Sequence, residues 1–159
     1  MGEVFFYHLT RAPLEATLPA LLTRSLAAGW RVAVRGTSQQ RLDWLDAQLW
    51  LGEGFLPHGL AGGPHDADQP VLLTLGQTSA NAANCLMLID GAPFDPAELP
   101  PLVRASVLFD GGDAAALTVA RQQWKQVCDT GLAAHYWSDE SGSWQKKTSR
   151  AAMTPAPTS

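Results

Sequence analysis

At 159 residues and 17.0 kDa the chain has room for one apolar core and too little for two ordinary domains side by side. Hydrophobic residues make up 46% and charged residues 16%, with six tryptophans, which excludes a disordered chain. A formal charge of -4 excludes broad electrostatic adhesion to a phosphate backbone or an anionic membrane.

The two cysteines, Cys85 and Cys128, match no metal-ligand spacing. The opening MGEVFFYHLTRAP has no basic segment followed by a long apolar run. No stretch approaches the roughly 18 uninterrupted apolar residues of a membrane span. These features predict a soluble cytoplasmic protein with reduced thiols. Only the last third is net positive: residues 111–159 carry five basic and four acidic groups, and all three lysines, Lys125, Lys146 and Lys147, lie there. An anionic partner would dock at that end.

In chain order, Val4 to Leu9 (VFFYHL) reads as a strand. Leu14, Leu18, Leu21, Leu22 and Leu26 then have the spacing of an amphipathic helix that Gly29 closes. Pro19 predicts that this helix starts near Leu18 or bends there. Trp30 to Arg35 reads as a second strand, and Thr37 or Ser38 caps a helix with the stripe Leu42, Leu45, Leu49. The Gly- and Pro-dense stretch 51–70 predicts a long irregular connection. Val71 to Leu75 and Cys85 to Ile89 are short apolar runs, hence buried strands, separated by a polar loop.

Four prolines make 91–101 an extended segment or one short helical turn, and Ala105 to Phe109 supplies a fifth strand. The last helix runs from about Ala114 to Asp129, with Leu117, Ala120, Trp124 and Val127 on one stripe and Gly131 ending it. His135-Tyr136-Trp137 reads as the last strand, and from about Gln145 a polar, basic tail is expected to be disordered. Alternation of strand and helix predicts parallel pairing, hence an α/β fold with a mostly parallel sheet of about five to six strands.

Candidate chemistry is sparse. Arg35-Gly36-Thr37-Ser38 lies where doubly wound folds bind phosphate, but it carries neither GxxxxGK[ST] nor GxGxxG and reads as a capped turn. Cys85 and Cys128 sit in no nucleophile motif beside His8, His58, His65 or His135. His58 and His65 share a loop with Asp66 and Asp68 without metal-ligand spacing. No catalytic residue, metal or cofactor is expected.

Two constellations look like binding surfaces. Leu49-Trp50 leads into Phe55-Leu56-Pro57-His58-Gly59-Leu60, whose large apolar residues either anchor a partner or cap the core. On the last helix, i, i+3 and i+4 spacing brings Arg121, Trp124 and Lys125 to one side. That is either a core tryptophan flanked by solvated cations or a site for an anionic group attached to an aromatic side chain.

Together VFFYHL, LDAQLW (45–50), FLPHGLAG (55–62), PVLLT (70–74), ARQQWKQVCDTG (120–131) and the Tyr136-Trp137 pair resemble the chi subunit family of bacterial DNA polymerase III, a clamp-loader accessory, over nearly the whole chain to about residue 144. The resemblance implies one α/β domain over 1–144, helices on both faces of the sheet in three layers, similar in layout to nucleotide-binding domains. It also implies a non-enzymatic adaptor in DNA replication with two partners. One is the small psi subunit of the clamp loader, met by Phe55 with Trp50, Leu56, Pro57 and Leu60. The other is the acidic tail of single-stranded DNA-binding protein, ending in Asp-Phe-Pro-Phe, met by Arg121, Trp124 and Lys125. DNA would be contacted only indirectly. Leu117 stands where family members can carry a further basic residue. The alternatives are a small nucleotide- or metal-dependent enzyme using the Gly36–Ser38 turn and the His58–Asp68 loop, and an adaptor for a repair helicase through the same loop surface.

Overall fold

A computed structural model describes residues 2–51, 56–75 and 80–150. In chain order its elements are β1 (Glu3–Leu9), α1 (Leu14–Ala27), β2 (Val32–Arg35), α2 (Gln39–Leu51), β3 (Gly59–Leu60), β4 (Val71–Thr74), β5 (Cys85–Leu88), β6 (Arg104–Asp110), α3 (Ala114–Thr130), β7 (Ala133–Ser138) and β8 (Gln145–Arg150). Single 3-10 turns form at Asp66–Asp68 and Pro96–Glu98. All strands join one sheet in the order β3-β4-β2-β5-β6-β1-β7-β8. Every pairing is parallel except β7 with β8.

Strand side chains alternate between two apolar clusters, as the two-residue period of a strand requires. Phe6, Leu86, Leu88, Val107 and Phe109 pack with Ala120 and Val127 of α3. Val32, Val34, Cys85, Met87 and Leu108 pack with Leu18 and Leu22 of α1 and Leu42, Leu45 and Leu49 of α2. The parallel strands β2, β4 and β5 are buried at every residue, which is why they read as unbroken apolar runs.

The sheet has eight strands where about five to six were expected. One addition, β3, lies in the 51–70 connection; two residues are too few to display a period. The other, β8, occupies Gln145–Arg150, in the stretch where a polar tail was expected. None of its six residues is buried, so QKKTSR offers no apolar alternation, and what orders it is the backbone ladder to β7. Helix α1 begins at Leu14, ahead of Pro19, because Thr17 and Leu18 are buried and the Ala16 and Thr17 amides donate to the Pro13 carbonyl.

Two polar ties brace the sheet. Arg35, at 4% exposure, closes the carboxyl end of β2 with a bidentate pair to Glu98 at 2.8 and 3.1 Å. Burial works to raise the Glu98 carboxyl, but the Arg35 bonds and the Asp95 amide hold it below its ordinary value. In the β7–β8 turn, Asp139 accepts from the backbone of Thr10, Arg11 and Ala12 and from the Thr10 hydroxyl, fastening the β1–α1 loop.

Candidate functional site

Helix α3 is fixed at both ends. The Asp113 carboxylate accepts from the amides of Ala115 and Ala116, and Gly131, in the left-handed region at φ 79°, donates back to the Cys128 carbonyl. Ala120 and Val127 point into the core, Leu117 and Trp124 lie half-buried at its margin, and Arg121 and Lys125 stand exposed beside them. The helical spacing therefore does bring Arg121, Trp124 and Lys125 together, with Leu117 one turn before Arg121.

The structure adds two residues to this spot. Trp124 meets Phe6 edge-on at 5.2 Å and Tyr136 at 6.0 Å between ring centroids, and the Tyr136 hydroxyl lies 2.7 Å from His8 Nδ1. Burial raises the Tyr136 phenol while the nearby Arg121 charge works against that rise. The result is a half-exposed indole beside a phenol and an unhindered guanidinium, suited to an apolar ring that carries an anion. Neither Tyr136 nor His8 could be assigned from helix spacing; the signal is that β7 follows α3 directly and must return beside it.

The second surface lies at the other sheet edge. Trp50, at 53% exposure, lies against His58 with the ring planes tilted by 38° and the centroids 4.3 Å apart, and Leu51, at 78%, stands beside it. Leu56 and Leu60 pack against the α1–α2 cluster and Pro57 is half-buried, so the described part of the loop, 56–60, folds inward. Phe55 lies outside the described residues. His58 is a buried post beneath Trp50: its Nδ1 donates to the Leu56 carbonyl at 2.7 Å, and its Nε2 lies 3.0 Å from Asp46 Oδ1. It ties the loop to α2.

The residues of the enzymatic alternative do not assemble. Gly36 serves packing, since a Cβ there would meet Leu42 Cδ2 at 2.9 Å, and Ser38 caps α2 by accepting from the Arg41 amide. Desolvation pushes the Cys85 thiol up to about 11, which keeps it protonated. Among the described residues no group of three His, Cys, Asp or Glu side chains is arranged to hold a metal. A crevice of about 690 Å³ does open at the carboxyl ends of β1, β5 and β6. Its rim carries Glu15, Asp90, Asp110 and Asp113 against Arg11 and Arg41, and Asp90 already pairs with Arg41. Carboxylates thus outnumber guanidiniums on this rim by four to two.

Residues 1–135 match the family model described as DNA polymerase III chi subunit, HolC. A curated relative, DNA polymerase III subunit chi of Pseudomonas aeruginosa, is 33% identical over 92 residues, which are 55% of this chain and 63% of the relative. The match thus spans less than two thirds of that relative's length. Among the described residues no helix is long and apolar enough to cross a membrane.

Proposed function

The chain belongs to the DNA polymerase III chi subunit family, and on that premise we propose that it is a non-catalytic adaptor of the replicative polymerase with one partner at each edge of its sheet. The α3 corner, with Arg121, Trp124, Lys125 and Leu117 now joined by Tyr136 and His8, takes the carboxyl-terminal tail of single-stranded DNA-binding protein. Arg121 pairs with the terminal carboxylate and the Trp124 indole walls the terminal Phe. The opposite edge, with Trp50, Leu56, Pro57 and Leu60, takes psi and through it the clamp loader, and Phe55 of the same sequence segment is assigned to that contact. The two apolar clusters support reading the fold as three layers, and the work belongs in the cytoplasm.

The observation that carries this reading is separation. With six strand spacings between β3 and β7, the surfaces stand roughly 30 Å apart on one sheet. Two partners can therefore be held at once, and many tails on a coated strand act through effective concentration. Net negative charge favours contact with DNA only through its binding protein. The acidic rim of the carboxyl-end crevice counts against the nucleotide-enzyme alternative.

Calorimetric titration with a nonapeptide ending in Asp-Phe-Pro-Phe tests the tail site. Saturable binding that weakens with salt is expected, and Arg121→Ala should weaken it by about tenfold or more, the worth of a charge-assisted fork of roughly 1.5–3 kcal/mol. Absence of saturable binding by the folded protein at low salt overturns the assignment.

A further inference from the structure

On the sheet face opposite α3, beside α1, lies a groove of about 540 Å³. Its floor is Phe5 and Tyr7 of β1, Arg104 and Ser106 of β6 and Trp137 of β7, residues that alternate with those beneath α3. Its wall is α1, which lines it with Ala16, Thr17, Ala20, Leu21 and Ser25 and sends in Arg24; Trp144 stands at the rim, its ring edge-on to Tyr7 at 5.5 Å.

The charge here is one-sided. The only charged side chains lining the groove are Arg24 and Arg104, and neither has a hydrogen bond or carboxylate partner among the described residues. Arg104 is held between two rings, 4.1 Å from the centroid of Phe5 and 4.9 Å from that of Trp30, with its Nε buried and without an acceptor. Glu3 stands opposite Arg104 in register on β1, but its carboxylate lies against His135 at 3.2 Å rather than against the guanidinium. A guanidinium partly stripped of water and without a paired carboxylate is unfavourable, and an anion in the groove relieves it. Both arginines act on Tyr7, opposing the rise that burial gives its phenol, so their charges converge on the groove floor. Just outside this lining, Lys146 stands 5.7 Å from the Trp137 ring centroid.

We propose that this groove binds a nucleoside monophosphate, its base stacked among Tyr7, Trp137 and Trp144 and its phosphate held by Arg104 and Arg24. One arginine in the floor and one on the wall suit a dianion rather than a single carboxylate, and the tryptophan and tyrosine faces accept any planar base. The volume fits one small ligand. A chain of net charge -4 disfavours a longer polyanion. The site shares no residue with either partner surface and touches the carboxyl-end crevice only at Ala12.

The test is tryptophan fluorescence of the full chain titrated with adenosine and thymidine 5′-monophosphates, and with adenosine and inorganic phosphate alone. Saturable quenching is expected with either monophosphate and much weaker binding with either half. Arg24→Gln, at an exposed position, and Arg104→Met should each weaken it by roughly tenfold, while Arg41→Gln in the crevice leaves it unchanged. Since Arg24 is exposed, its variant remains informative if Arg104→Met fails to fold. No saturation at millimolar nucleotide, equal affinity in Arg24→Gln, loss of binding in Arg41→Gln, or displacement of the nucleotide by the Asp-Phe-Pro-Phe peptide would each overturn the proposal.

Discussion

Asp139 is 4% exposed, and burial alone would raise its carboxyl; the three amides and one hydroxyl donating to it instead lower it to about 2. A folded-state value below the unfolded one gives stabilisation that is complete above the ordinary carboxylate range and lost as pH falls toward 2. At 1.36 kcal/mol per unit this is worth about 2 kcal/mol. Asp139→Asn should lose roughly that much at about pH 6, and the difference from the parent should shrink between about pH 5 and pH 2, as urea unfolding at several pH values will measure. At this scale Trp124 and Arg121 were legible because the pitch of one helix fixes which side chains neighbour each other. The His8–Tyr136 bond was not, since its two residues lie 128 positions apart in sequence and meet only when β1 pairs with β7.

Among elements, β8 is the most instructive. All six of its residues are exposed, yet it shields β7, ties Lys147 to Glu140 at 2.9 Å and lays Lys146 against Trp137. Truncation after residue 144 should leave the core folded while uncovering β7 as a bare edge, a template for pairing with other chains. Sedimentation velocity should then show concentration-dependent self-association that the full chain lacks; a truncated chain that stays monomeric would count against a protective role. Elements with a buried face were legible: the Leu42, Leu45, Leu49 stripe and the VLLT and CLML strands carry their burial in their spelling. Strands β3 and β8 carry none, because backbone pairing leaves no apolar signature and the former has only two residues.

For the whole molecule, the roughly 30 Å between the Trp50 edge and the α3 corner has a measurable consequence. Sites that far apart on a rigid sheet contribute independently. Trp50→Ser should therefore leave the affinity for the Asp-Phe-Pro-Phe peptide within about twofold of the parent value in the same calorimetric titration. A larger change would mean that the sheet transmits strain between its edges.

The position of β1 bears on how the protein comes off the ribosome. Its neighbours are β6 and β7, with Glu3 opposite Arg104 on one side and Ala133 on the other. Both partners lie far along the chain, so the apolar VFFYHL segment waits unpaired until β6 has been made. Late closure of distant parallel strands makes for slow folding and a nascent chain prone to aggregate. Cells making this protein quickly should depend on chaperone capture of the VFFYHL segment.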